Sequence, residues 1–117
     1  MKQAAPCFIF THHDELPWIP SKFAEGVAVK NLGKSNGRAM QLVRFQSGAS
    51  FPAHLHTDVE FLFMLEGEVL QNGKKLTPGW STVAPAGTED FEFISPTGCT
   101  FLLMYSLKTS DLFNLKP

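Results

Sequence analysis

Turn-forming residues interrupt this chain so often that no long helix fits between them. Gly33-Lys34-Ser35-Asn36-Gly37, Gln46-Ser47-Gly48, Gln71-Asn72-Gly73, Thr77-Pro78-Gly79, Pro85-Ala86-Gly87 and Ser95-Pro96-Thr97-Gly98 separate short stretches rich in apolar residues. Those stretches predict strands over Val27 to Asn31, Ala39 to Gln46, Glu60 to Leu65, Glu68 to Gln71, Ser81 to Ala84, Phe91 to Ile94 and Thr100 to Ser106. Helical periodicity is nearly absent. Short strands at near-regular spacing, parted by Gly and Pro turns, mean an all-β sandwich or barrel. Asn72-Gly73 is the strongest local signal, because both central residues of a type I′ turn need positive φ. A tight hairpin is expected there.

The 117 residues suit one domain, and a chain of this size buries roughly two-thirds of the surface its unfolded form exposes. With 44% hydrophobic and 18% charged residues, the composition excludes disorder. Eleven Phe against one Tyr point to a dry, aromatic-rich interior. Residues 1–25 carry Pro6, Pro17 and Pro20 amid mixed polarity and read as an arm lying over a barrel of residues 26–117. The tail from Leu112 to Pro117 fits a short turn of helix.

The net charge is −1, and Lys34, Arg38, Lys74 and Lys75 are scattered rather than gathered into a nucleic-acid surface. No apolar run is long enough to span a membrane. Thr11-His12-His13-Asp14 ends the apolar stretch from Cys7 to Phe10 too early for a signal peptide, so a cytoplasmic location is expected. In a reducing compartment Cys7 and Cys99 read as buried thiols or bystanders.

Chemistry concentrates in the segment GASFPAHLHTDVEFLFMLEG, from Gly48 to Gly67. On an extended chain His54 and His56 point to the same face. Two neutral imidazoles at that spacing can share one metal ion. Glu60 opens the next strand with matching parity and can bring a carboxylate oxygen to the same point. Two His and one carboxylate leave open coordination positions, as non-haem Fe(II) and Mn(II) favour. A plain alternative is that these are surface residues near a bend. Leu55 supports it: if Leu55 faces the core, the histidines face out. A closed barrel has two covered faces, however, so periodicity alone leaves both readings open.

The wider spacing resembles the first cupin motif in every fixed position: Gly48, His54, His56, Glu60 and Gly67. Gly79, Pro85 and Gly87 resemble the second motif, and residues 71–79 the hairpin between the two. The resemblance implies a double-stranded β-helix, or jelly roll, in which His54, His56 and Glu60 hold one divalent ion. Where the second motif normally places a fourth ligand, a His, this chain has Asp90; where it has an Asn, this chain has Ile94. Three readings of Asp90 compete. It ligates the metal, it hydrogen-bonds a metal-bound water or substrate, or the site has lost its fourth ligand.

Leu62 and Met64 share parity with Glu60 and are expected to line the metal cavity. Phe51, Trp80, Met40, Leu102 and Met104 are further candidates for its wall. Phe91 and Phe93 are expected to point away from Asp90. Arg44 either anchors a substrate carboxylate or is a solvated charge, and the His12-His13 pair reads as solvated. Such walls suit a small, largely apolar organic ligand.

Similarity to small cupin dioxygenases implies an Fe(II) site, with Mn, Zn and Ni as other candidate ions. The run from Trp18-Ile19-Pro20 to Leu32 also resembles the region preceding the barrel in ChrR-like cupins, which include anti-sigma sensor domains. A non-catalytic sensor of metal or metabolite is therefore the second expectation, and a metal-assisted isomerase or lyase the third. The resemblance also implies a homodimer.

Overall fold

The computed structural model describes residues 5–107, so the expected helical turn at Leu112 to Pro117 lies outside the described residues. A short 3-10 helix, His13–Glu15, is followed by β1 (Ile19–Pro20), β2 (Val27–Ser35), β3 (Arg38–Phe45), β4 (His54–Leu55) and β5 (Glu60–Gly67). Then come β6 (Val69–Gln71), β7 (Lys74–Leu76), β8 (Ser81–Ala84), β9 (Glu89–Asp90), β10 (Phe93–Ile94) and β11 (Cys99–Ser106). All pairings are antiparallel. One wall is a six-stranded sheet in the order β1-β2-β3-β11-β5-β8. Facing strands form the sets β10-β6-β7 and β4-β9. This is the jelly roll that the motif resemblance implied, within the all-β class that the turn spacing predicted.

Positive φ at Asn72 (48°) and Gly73 (82°) closes the β6–β7 hairpin, with Gln71 opposite Lys74. A second turn of the same kind corrects the sequence reading. Asn36 (φ 50°) and Gly37 (φ 75°) alone join β2 to β3, so Gly33-Lys34-Ser35 is strand and not turn. The Asn-Gly pair supplies both positive φ values that a two-residue hairpin needs. Gly33 instead sits where the β2–β3 register shifts by one residue.

Alternation sorts β11 into a buried set (Cys99, Phe101, Leu103 and Tyr105) and a less covered one (Thr100, Leu102 and Met104). The buried set faces Val43 and Phe45 of β3 and Leu62 and Met64 of β5, which form the core with Val69, Leu76 and Phe93. One end of this interior is aromatic: Phe45 packs on Phe51, Phe93 and Phe101 at ring-centroid distances of 4.8, 5.5 and 5.6 Å. These four rings supply part of the aromatic interior that the Phe count implied, whereas Phe8, Phe10, Phe61, Phe63 and Phe91 are exposed. Along β5 and β11 the register runs from Cys99 opposite Gly67 to Met104 opposite Phe61. Glu60 therefore lies at the end away from that cluster.

Cys7 is exposed and Cys99 buried, and both are free thiols. No helix among the described residues is long and apolar enough to cross a membrane.

Candidate metal centre

The short β4–β9 ladder sets His54 directly opposite Asp90. The pairing continues past the strand ends, where the His56 N–H donates to the Thr88 carbonyl (2.9 Å) and the Gly87 N–H to the His56 carbonyl (2.7 Å). Both histidines thereby face the carboxylate across one ladder. His54 and His56 are 3% and 2% exposed, whereas Leu55 between them is 43% exposed. Leu55 faces outward, so the two imidazoles turn into the barrel.

Inside, His54, His56 and Asp90 each present one donor atom within 4.8 Å of the other two. The two rings lie edge to face with centroids 4.5 Å apart. His56 Nε2 is 4.0 Å from Asp90 Oδ2, and His56 Nδ1 is 3.7 Å from Glu60 Oε2. Glu60 thus reaches the cluster through His56, from the first residue of β5. His54, His56 and Asp90 come together at the polar end of the interior, with Glu60 on the other ring nitrogen of His56. Asp90, at the position where a His is usual, is buried among them.

Two details suit the cluster to a cation. His54 Nδ1 lies 3.1 Å from the Pro52 carbonyl. A carbonyl only accepts, so Nδ1 carries the proton and the Nε2 lone pair is the donor, the way metal-ligating histidines are usually oriented. On Asp90, Oδ2 accepts from Gln71 Nε2 (3.4 Å), while the buried Oδ1 accepts no hydrogen bond among the described residues. A buried carboxylate oxygen without a donor is costly unless a proton or cation meets it. Burial accordingly pushes the Asp90 carboxyl above its ordinary range, against the opposing effects of neighbouring His54 and the Gln71 hydrogen bond. Proton and metal compete for the same oxygen.

A cavity of 170 Å³ adjoins the cluster, lined by His56, Gln71, Asn72, Thr82, Val83, Ala84, Thr88, Glu89 and Asp90. Its lining mixes polar side chains with Val83 and Ala84, where a wall of Leu, Met and aromatic residues was expected. Leu62 and Met64 do face inward, but they belong to the apolar core, as Phe51 packs on its rim. Met40, Leu102 and Met104 lie on the opposite face of the sheet, because β3 and β11 turn Val43, Phe101 and Leu103 inward and the alternate residues outward. Trp80 is exposed beside Lys74. Arg44 is exposed too, stacked on Trp18 at 4.1 Å, and does not enter the cavity. His12 and His13 are exposed, with His12 capping the 3-10 helix.

Phe91 points away from Asp90 as expected, but Phe93 departs from the parity rule. Phe91 is exposed, whereas Phe93 is buried in the core. The cause is Asn72, whose Oδ1 accepts from the N–H groups of both Phe91 and Glu92 (3.0 and 3.2 Å). That bond breaks the strand between β9 and β10 and resets its facing. Gln71, Thr82 and Thr88 escaped the sequence reading. Thr82 was legible from its parity with Ala84 on β8, but nothing local marks Gln71, which reaches Asp90 only through the hairpin.

A jelly roll with two histidines and two carboxylates gathered at one end of its interior is the architecture of a cupin. Residues 8–107 match the model of the ChrR cupin-like domain, and the chain belongs to that family. No curated protein matches the sequence. Among solved structures, an acetylacetone dioxygenase from Acinetobacter johnsonii superposes with a TM-score of 0.72 at 16% identity, covering 91% of this chain and 77% of that one. The polyketide cyclase RemF from Streptomyces resistomycificus gives 0.79 at 15% identity, covering 95% and 87%. The Rhodobacter sphaeroides complex of SigE with the anti-sigma ChrR gives 0.69 at 18% identity, covering 81% of this chain and 51% of that one. At these identities the likeness is one of fold.

Proposed function

We propose that this cupin is a metal-dependent oxidoreductase of the dioxygenase type, acting on a small organic substrate. It holds one divalent ion, Fe(II) ahead of Mn, Zn and Ni, through His54, His56 and Asp90, with Glu60 orienting His56 from its other ring nitrogen. The observation that carries this reading is the buried cluster of His54, His56 and Asp90, backed by Glu60 against His56, beside a small cavity. Three protein donors leave open positions on a six-coordinate ion, and two imidazoles with a carboxylate suit a borderline dication. A redox-active ion there would supply the one-electron chemistry with O₂ that side chains lack.

The chain's own residues hold and select. Pro52 fixes the His54 ring, and Gln71 orients Asp90. Gln71, Thr82 and Thr88 offer hydrogen bonds to a ligand in the cavity. Its 170 Å³ is roughly the room of five or six waters. The substrate class is therefore compact and oxygen-bearing, such as a small dicarbonyl or phenol.

A second reading is a module that reports metal or metabolite occupancy without turnover, and the family match with ChrR favours it. Oxygen uptake separates the two. Anaerobically Fe(II)-loaded protein, offered a panel of short β-diketones and phenols, is expected to consume O₂ with at least one of them and to stop when Zn(II) replaces iron. Tight iron binding with no uptake across the panel would favour the sensor. Turnover with Zn(II) and no O₂ would indicate an isomerase or lyase.

A further inference from the structure

A second cavity lies outside the barrel, between the segment from Ile9 to Trp18 and the outer face of the six-stranded sheet. Its volume of 800 Å³ falls within the roughly 300–1,000 Å³ usual for small-molecule sites. It shares no residue with the His54, His56 and Asp90 cluster or with the cavity beside it.

Two cations meet in this outer cavity. Alternation on β2 turns Val27 and Val29 into the core, so Lys30 points out of the barrel. Lys30 is nonetheless only 7% exposed. Its ammonium donates to the His13 carbonyl (2.7 Å) and lies over the Trp18 ring, 4.9 Å from the centroid. Arg44, on the neighbouring strand, lies over the same ring at 4.1 Å. An ammonium has three N–H donors, and the His13 carbonyl takes one of those on Lys30. A carbonyl and a ring face carry only partial charge, so neither neutralises a buried cation. Among the described residues, no carboxylate stands at ion-pair distance from Lys30 or Arg44.

The rest of the wall says what kind of anion fits. Asp14 and Glu66 also line the cavity. Asp14 is turned to the histidines, 3.4 Å from His13 Nδ1 and 3.8 Å from His12 Nδ1. Glu66 is two strands from Arg44, with Thr100 between them in register. These two carboxylates repel a polyanion, whereas a single negative charge is drawn to Lys30 and Arg44. Ile9, Leu32, Met40, Leu42 and Leu65 supply apolar wall, and register sets Leu42 directly beside Lys30. Because the two cations already occupy the Trp18 ring, an apolar ligand body rests on these aliphatic side chains.

The geometry points to a binding site for a small aliphatic carboxylate, its head group between Lys30 and Arg44 and its chain over Leu42 and Met40. The assignment is independent of the metal reading, which concerns the inner side of the same sheet.

Octanoate is the probe. The chain has two tryptophans, and Trp80→Phe removes the exposed one beside Lys74, so that emission reports Trp18 alone. Titrating that protein with octanoate up to about 10 mM should give a saturable change in emission. Octanamide has the same chain without the charge and should bind at least about tenfold more weakly. Inorganic phosphate should not compete. In the same background, Arg44→Gln and Lys30→Met should each weaken octanoate binding at least about tenfold and reduce the preference over octanamide. Lys30→Met also removes the bond to His13, so the variant at exposed Arg44 separates charge from folding. His56→Ala should bind octanoate as tightly as its parent, because a carboxylate held at the metal centre would be lost with that ring. Absence of a saturable response, equal binding of octanamide, or competition by phosphate overturns the proposal. So does parental affinity in folded Arg44→Gln protein, or loss of binding in His56→Ala.

Discussion

The His56→Ala protein is expected to bind divalent metal at least about 100-fold more weakly than wild type. His56 is the hub of the cluster: its two ring nitrogens face Glu60 at 3.7 Å and Asp90 at 4.0 Å. Without the ring, the buried Asp90 carboxylate loses its neighbouring donor and Glu60 its path to the site. The effect should exceed that of Gln71→Leu, which leaves every donor in place and removes only a hydrogen bond to Asp90. Competition against a chelator of known affinity measures both. Wild-type affinity in folded His56→Ala protein would show that the ion, if any, binds elsewhere.

Gly67→Ala should produce the largest loss of stability. Gly67 has φ of 74°, in the region that L side chains rarely adopt, and an added Cβ would overlap the Gly98 carbonyl oxygen and lie 2.7 Å from Cys99 Cα. Both obstacles are backbone, so neither can swing aside. Positive φ costs about 1–2 kcal/mol, and the overlap adds to it, for a total of about 3 kcal/mol or more. That is a large part of the 5–15 kcal/mol typical of a domain. A fall in melting temperature of about 10 °C or more is expected. Gly33→Ala is the control, because Gly33 lacks positive φ and has nothing within 4 Å of an added Cβ. Equal melting temperatures for the two variants would contradict the close approach of the β5 and β11 ends.

Gly67 also shows why part of this molecule was legible in its sequence. Its spacing from His54, His56 and Glu60 is set by strand length and by one tight backbone crossing, and both leave marks on residue type. The turns were legible for the same reason, since Asn72-Gly73 and Asn36-Gly37 declare their positive φ. The ligand cluster was legible because His54, His56 and Glu60 are close in the chain. The cavity wall was not. Parity places a side chain on one of two faces, but it does not say which face of a sheet encloses the site. Met40, Leu102 and Met104 therefore read as lining when they lie outside. Phe93 misled differently, because a side-chain bond from a distant hairpin residue, Asn72, reset the strand. Gln71 and Thr88 reach the site only through tertiary pairing, which leaves no local trace.

The central claim is a resident divalent ion at His54, His56 and Asp90, and elemental analysis of the purified protein tests it most directly. Protein prepared without chelators or added metal, then dialysed, should carry about one first-row divalent ion per chain, or take up one when Fe(II) is supplied anaerobically. Protein that holds no stoichiometric metal, and gains none on addition, would contradict it.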